Sequence, residues 1–148
     1  MQEMNRRDML AMAAAFAALG GLAEAQVGPD GKLSQTTVFD FGKLPVKTNA
    51  TGGASRAVLS GTLPTGEFLE VHETMLPPGQ MPHPAHKHRH SEMMLIREGQ
   101  LEFYAEDKVL PLGPGGVAFA GSNHMHGLKN VGQTPANYFV VAIGVQEK

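Results

Sequence analysis

The sequence predicts an all-β protein, a sandwich or barrel of short strands in a single domain. The 148 residues include 18 glycines and 10 prolines, which together exceed average usage and favour turns over long helices. No window after residue 25 has helical periodicity, whereas short β-prone segments recur between Gly- and Pro-rich turns. No internal repeat and no linker divides the chain, so one domain is expected.

The first 25 residues have the organisation of a cleavable signal peptide. Arg6 and Arg7 form a twin-arginine pair, the run from Met9 to Leu22 carries no charge, and residues 23–25 form an A-x-A cleavage signal. The apolar run would span about 21 Å as a helix, short of the roughly 30 Å hydrocarbon core of a bilayer. We therefore expect export to the periplasm or the medium, by the twin-arginine route, and no membrane span after cleavage. An uncleaved N-terminal anchor is the alternative.

The rest of the chain divides into an arm and a β domain. Residues 26–41 are polar and turn-rich, then β-prone from residue 36, and are expected to form an N-terminal arm or edge strand. Residues 42–148 are expected to form the β-barrel, with a turn cluster at 111–116. The predicted strands are 56–61, 67–76, 92–97, 101–105, 107–110, 117–120, 124–129 and 136–143.

Alternation within the strand 67–76 predicts which side chains face the core. Leu69, Val71 and Met75 share one parity, so they are expected to point inward. Glu73 shares that parity, and an inward carboxylate needs a partner. His72 has the opposite parity and is expected to be solvated. By the same reasoning, Met94 and Ile96 have the parity of Glu92 and are expected to line the barrel.

Composition excludes several kinds of functional site. The absence of cysteine excludes a thiol nucleophile, a cysteine-based zinc site, an iron–sulfur cluster and disulfides. A net charge of −2 gives no electrostatic footprint for nucleic acid. The 42% content of hydrophobic residues is too high for a disordered chain. Seven histidines, against two tyrosines and no tryptophan, are the unusual feature and direct attention to metal chemistry.

Four of the seven histidines lie close together in the chain: His83, His86, His88 and His90. Side chains at positions i and i+2 of an extended chain point the same way, so His86 and His88 can converge on one ion. Glu92 has the same parity and can add a carboxylate, and a strand returning on that face can deliver His126. Such a ligand set leaves one or two positions open on a five- or six-coordinate ion. Parity alone does not exclude His90.

Two spacings resemble the motifs of the cupin family. His86-x-His88-x3-Glu92-x6-Gly99 resembles the first motif, and Gly115-x5-Gly121-x-Asn123-x2-His126-x3-Asn130 resembles the second, with Gly121-x-Asn123 in place of the family's Pro-x-Gly. The resemblance implies a small single-domain cupin, a jelly-roll β-barrel. It also implies the metal ligands His86, His88, Glu92 and His126. We expect His83, His90 and His124 at the surface or around the ligands, and direct ligation by them is the alternative. A homodimer is implied as well, with residues 26–41 as a candidate segment for crossing between subunits.

The expected cofactor is one divalent transition metal ion per chain. Nitrogen and oxygen ligands without sulfur suit Mn, Fe, Co, Ni, Cu or Zn. Folding before export favours Mn or Fe, whereas folding outside the cell raises the prospect of Cu.

Three functions are compatible with such a site. The first is a secreted metal-dependent oxidoreductase that uses O2 or peroxide on a small oxygenated molecule or carbohydrate. Glu73 is its candidate acid or base, and the alternatives for this residue are anchoring a ligand imidazole or pairing with Arg56. The second function is a non-redox isomerase, epimerase or decarboxylase. The third is a non-catalytic sugar- or metal-binding protein, and the fold alone does not choose among them.

Overall fold

A computed structural model describes residues 33–145, so the predicted signal peptide lies outside the described residues. A short 3-10 helix spans Phe41–Lys43. The strands that follow are β1 (Val46–Thr48), β2 (Ala54–Thr62), β3 (Phe68–Leu76), β4 (Ser91–Glu98), β5 (Leu101–Ala105), β6 (Lys108–Leu112), β7 (Val117–Ala120), β8 (His126–Asn130) and β9 (Ala136–Gly144).

The strands form two antiparallel sheets. One has six strands in the order β1-β2-β3-β9-β4-β7, and the other has three in the order β6-β5-β8. The buried apolar cluster draws on both sheets and includes Leu76, Met94, Ile96, Leu101, Phe103, Leu128, Tyr138 and Val140. The prediction of an all-β jelly-roll barrel is therefore confirmed, as is the inward orientation of Met94 and Ile96.

The predicted strands differ from the observed ones mainly at weakly patterned segments. Strand β1 was not predicted, and all three of its residues are exposed, so it has no alternation to detect. The β-prone run 36–41 is not a strand: the chain is irregular there and then forms the 3-10 helix. Strand β6 continues through Pro111, which the prediction assigned to a turn. Among the described strands, β6 lies at the edge of its sheet and has a neighbour on one side only. Proline, which lacks an N–H, is tolerated in such an edge strand.

The predicted orientation of β3 is wrong. Directly paired residues share a sheet face, and the buried Tyr138 and Val140 of β9 pair with Thr74 and His72. The even-numbered residues of β3 therefore face the barrel interior. Glu73 lies on the outer face, where it pairs with Phe139 of β9. The other odd-numbered residues, Leu69, Val71 and Met75, lie on the same outer face and pair with other residues of β9.

The outer face of β3 is apolar because the N-terminal arm covers it. Leu33 lies against Gly61, which pairs with Leu69 on that face, and the Leu33 N–H donates to the carbonyl of Thr62. Further along the arm, the ring of Phe41 makes an edge contact with Phe139 at 6.3 Å. With both faces covered, apolar alternation no longer tells which one is the interior.

Candidate metal centre

The candidate ligands come from two chain segments that the backbone joins directly. The loop between β3 and β4 carries His86 and His88, β4 begins beside Glu92, and β8 begins at His126. The N–H of His86 donates to the carbonyl of His126 at 2.9 Å, and the reciprocal bond is 2.8 Å. This isolated antiparallel bridge places the downstream histidine beside the upstream pair.

Asn130 holds the start of the ligand loop in place. Its side chain is fully buried and donates to the carbonyls of Leu76 and Thr134 at 2.8 and 2.9 Å. The backbone carbonyl of Asn130 accepts a hydrogen bond from the N–H of Gly79. Gly79 has a φ of +75° and lies at the turn that follows β3. The asparagine of the second motif therefore fixes the turn from which the histidine loop departs.

Asn123 supplies the backbone conformation expected of glycine at its position. Its φ is +61°, in the left-handed region that asparagine tolerates better than most residues. In this conformation its N–H donates to the carbonyl of His88 at 2.7 Å. Asn123, at the position of the motif's glycine, thus forms a turn that fastens the ligand loop to the segment before β8.

Three imidazoles converge in the barrel interior. The ring centroids of His86, His88 and His126 lie 4.7 to 5.1 Å apart, and all three residues are buried. One nitrogen from each lies within 4.8 Å of the others, a spacing at which a single ion can bind all three.

Glu92 faces two of these rings with its carboxylate. Oε1 lies 3.2 Å from Nε2 of His88, and Oε2 lies 3.4 Å from Nε2 of His126. In both rings Nδ1 donates to a backbone carbonyl, that of His90 at 2.8 Å and that of His124 at 2.9 Å. A neutral ring that donates through Nδ1 has a lone pair on Nε2, so both Nε2 lone pairs face the carboxylate. A cation between them removes this repulsion, as would protonation of the rings.

The buried atoms that lack a hydrogen bond support the same conclusion. They include Nδ1 of His86 and Nε2 of His126. Buried polar atoms without partners are costly, and metal coordination is one way to satisfy imidazole nitrogens. The residues present therefore fit a divalent transition metal ion bound by three nitrogens and one carboxylate.

The protonation states also suit metal binding. Burial, reinforced by the neighbouring imidazoles of His83, His126 and His88, lowers the pKa of His86 to about 3. Nε2 of His90 donates to Glu92 Oε1 and favours the charged form of the carboxylate. At neutral pH the imidazole of His86 is neutral and the carboxylate is charged, which are the forms that bind a metal.

The remaining histidines occupy different places. His90 is buried, its Nε2 donates to Glu92 Oε1 at 3.1 Å, and its ring stacks on His88 with 3.6 Å between centroids. His83 packs edge-on against His86 at 4.1 Å. His124 is exposed and pairs with Glu106. His90 thus contacts two candidate ligands, and it also belongs to a second group of possible ligands with His88 and Glu92.

Glu73 does not lie on the same face as this centre. It is completely buried on the outer face, where Oε2 accepts from Arg56 at 2.8 Å and Oε1 lies 3.8 Å from Arg97. Both guanidinium groups stack on the ring of Phe41. The expectation that Glu73 points toward the metal site is wrong, and the structure contains the alternative, pairing with Arg56.

The inner face of β3 holds two polar residues that parity reasoning missed. Glu70 is buried and accepts from Nδ1 of His72, with distances of 2.9 and 3.0 Å to its two oxygens. His72 was expected to be solvated, yet it faces the interior. The sequence contained an indication of this face, because Glu70, His72 and Thr74 share the even-numbered parity of the strand. The odd-numbered residues Leu69, Val71 and Glu73 form the other face.

Comparison with known proteins supports the fold and the domain. The family model described as "Cupin domain" matches residues 72–142, which include all four candidate ligands. No curated protein sequence is significantly similar to the chain. Within residues 33–145, no helix has the length and hydropathy that crossing a membrane requires.

Several solved structures share the architecture at low sequence identity. An RmlC-like cupin from Shewanella frigidimarina is 20% identical, with a TM-score of 0.61 over 76% of this chain and 96% of its own. A predicted oxalate decarboxylase from Thermotoga maritima is 22% identical, with a TM-score of 0.60 over 74% of this chain and all of its own. A sugar phosphate isomerase of the cupin superfamily from Silicibacter pomeroyi is 21% identical, with a TM-score of 0.61 over 74% of this chain and 76% of its own. Residues 72–142 therefore match the cupin family model, and the two-sheet barrel with its converging histidines shares the cupin fold of these structures.

Proposed function

We propose that this protein binds one divalent transition metal ion per chain through His86, His88, Glu92 and His126. The observation that carries the proposal is the position of the Glu92 carboxylate. It faces two imidazole nitrogens whose rings already use their N–H groups to bond backbone carbonyls. That arrangement is repulsive without a cation and favourable with one.

We propose further that the metal centre makes the protein an oxidoreductase for a small oxygenated molecule or carbohydrate. A bound Mn, Fe or Cu ion would supply Lewis acidity and redox chemistry toward O2 or peroxide. The chain's own residues hold the ligand imidazoles by backbone hydrogen bonds and surround them with apolar walls such as Phe103, whose ring lies 6.4 Å from that of His126. The hydrogen bonds keep the ligand rings oriented, and burial limits the access of bulk water to them.

A non-redox isomerase or decarboxylase is the second candidate. It is favoured by the buried pair formed by Glu70 and His72 on the inner face, which is an acid–base arrangement independent of electron transfer. The fold also occurs in proteins described as a predicted oxalate decarboxylase and a sugar phosphate isomerase.

One experiment separates these functions. The mature protein is reconstituted with Mn(II), Fe(II), Cu(II) or Zn(II) and offered a panel of hydroxy acids and sugars, with and without O2. Oxygen uptake with a redox-active metal but not with Zn(II) supports the oxidoreductase. Turnover with Zn(II) under anaerobic conditions supports the non-redox enzyme. Ligand binding without turnover under every condition would contradict both and leave a binding protein.

We also propose that the protein is exported to the periplasm or the medium by the twin-arginine route. The proposal rests on the Arg6–Arg7 pair and the A-x-A signal before Gln26. The mass of the exported protein should correspond to a chain that begins at Gln26. Replacing both arginines with lysine should retain the protein in the cytoplasm, and export of that variant at the normal level would argue against the route.

A homodimer is proposed through the outer face of β4 and β7. Large apolar side chains are exposed there, namely Met93, Leu95, Val117 and Phe119, and Ile143 of the adjacent β9 is exposed beside them. Cross-strand pairing places Met93 beside Phe119 and Leu95 beside Val117. A second copy packed face to face around a two-fold axis can cover this patch.

Replacing the exposed Phe119 with lysine is expected to convert such a dimer to a monomer. The new charge would be buried against the partner's apolar patch, at a cost of several kcal/mol. Size-exclusion chromatography with light scattering measures the change. Val109→Lys on the edge strand β6 is the matched control, since Val109 is similarly exposed but lies on the other sheet. A wild-type monomer, or a dimer that only Val109→Lys disrupts, would contradict the proposed interface.

A further inference from the structure

One row of side chains crosses the inner face of the six-stranded sheet from the metal centre to β3. Ala142 of β9 pairs with Glu92 of β4 on one side and with Glu70 of β3 on the other. Paired residues share a face, so Glu70 points into the same interior as the candidate metal ligand. Two inter-strand spacings separate the two backbones, about 10 Å. The only residue between them in this row is an alanine, whose side chain is a single methyl group.

His72 lies in the next row on the same face. It pairs with Val140, which pairs in turn with Met94, two residues beyond Glu92 on β4. Nδ1 of His72 donates to the carboxylate of Glu70, which is 2% exposed, whereas the His72 side chain is 16% exposed. The carboxylate is thus sealed in the interior, and the imidazole that it holds remains partly accessible.

This contact defines what the imidazole can do. A carboxylate that accepts a hydrogen bond from Nδ1–H fixes the ring tautomer. Nε2 is then the nitrogen that can accept a proton. The same carboxylate stabilises the imidazolium that forms, which is the role of the acidic member in hydrolytic triads. The row of His72 is otherwise apolar, with Ala57 on β2 and Val140 on β9. Burying an ionisable pair there has a desolvation cost that a pair of apolar residues would not have. Buried ionisable groups of this kind are concentrated at functional sites.

We propose that His72, oriented by Glu70, exchanges a proton with the molecule held at the metal centre. The inference rests on the proposed function, since it assumes a ligand at that centre. In the forward step an O–H bond of the ligand breaks, its electron pair stays on oxygen, and an N–H bond forms at Nε2 of His72. The positive charge that develops on the ring is balanced by Glu70. The step uses the inner face of β3, on the side of the strand opposite Glu73.

The first test is the distance from His72 to the ion. Loading the full mature protein with Mn(II) should broaden the ring proton resonances of His72, with a relaxation enhancement that corresponds to about 8 Å or less, because a small coordinated ligand must lie within hydrogen-bond distance of Nε2. A ratio of one Mn(II) per wild-type chain is measured first. A wild-type protein that binds no metal would overturn the proposed function. A stoichiometric metal with His72 beyond about 8 Å would overturn only the present inference.

The second test uses glycolate, a chelating hydroxy acid, as the probe of the Mn(II)-loaded protein. His72→Asn keeps a donor for Glu70 but lacks Nε2, and it should weaken glycolate binding by at least about tenfold with unchanged metal stoichiometry. His72→Gln, whose amide can reach the position of Nε2, should restore part of the affinity. Glu73→Gln is the matched carboxylate control on the outer face and should leave glycolate affinity unchanged. The inference fails if His72→Asn binds glycolate like the wild type, or if Glu73→Gln has the larger effect.

Discussion

Replacing His126 with alanine is expected to abolish stoichiometric metal binding while leaving a folded barrel. The substitution removes one of three imidazoles around the proposed ion and leaves Glu92 Oε2 facing an empty space. Changes to groups that merely orient ligands already cost roughly 10- to 100-fold in metal affinity, so the loss of a ligand should exceed about 100-fold. The fold should survive because the bridge to His86 uses only backbone atoms. Metal content by mass spectrometry and far-UV circular dichroism measure the two effects.

Two other histidines provide matched controls for this experiment. His124→Ala alters an exposed residue two positions away and should leave metal content and affinity unchanged. His90→Ala removes the hydrogen bond to Glu92 but no assigned ligand, so the chain should still bind one ion, with affinity reduced by roughly 10- to 100-fold. If His90→Ala abolished binding and His126→Ala did not, the proposed ligand set would be wrong.

Replacing Arg56 with methionine should destabilise the protein strongly without affecting the metal centre. The change leaves the fully buried carboxylate of Glu73 with only Arg97, at 3.8 Å. Removing one partner of a buried ion pair costs roughly 3–5 kcal/mol, and the partial exposure of Arg56 reduces this to about 3 kcal/mol. Chemical denaturation of the metal-free protein measures the loss of unfolding free energy. Metal affinity should stay within about twofold of the wild-type value. Glu73 lies on the outer face of the sheet, whereas Glu92 lies on its inner face.

The double variant Arg56→Met/Glu73→Gln tests the cause of that destabilisation. Removing both charges eliminates the uncompensated carboxylate, so the double variant should be more stable than Arg56→Met alone. Equal or lower stability of the double variant would show that packing against Phe41, rather than charge, dominates. A fall in metal affinity in either variant would revive a role for Glu73 at the metal centre.

The strand pattern and the candidate ligands were predictable because they depend on local regularities. Alternation over a few residues, interrupted by glycine and proline, located strands such as β4 and β5 within one or two residues. The spacing of His86, His88 and Glu92 allows convergence because an extended chain repeats every two residues. Strand parity allowed His126 as a further ligand, but only the resemblance to a family motif selected it, since nothing in local sequence indicates which distant segment returns to the loop. The structure brings these four residues together.

Which face of β3 lines the interior could be decided only by the tertiary structure. Local alternation divides the strand into two faces, but it identifies the interior only when the other face is solvated. Here the arm that carries Leu33 and Phe41 covers the outer face, so apolar residues are favourable on that face as well. The interior face then carries Glu70 and His72, whose pairing stabilises them there. The sequence by itself thus determined the β architecture and the histidine spacing, whereas long-range packing of the arm, which no local pattern encodes, determined which carboxylate shares the interior with the metal centre.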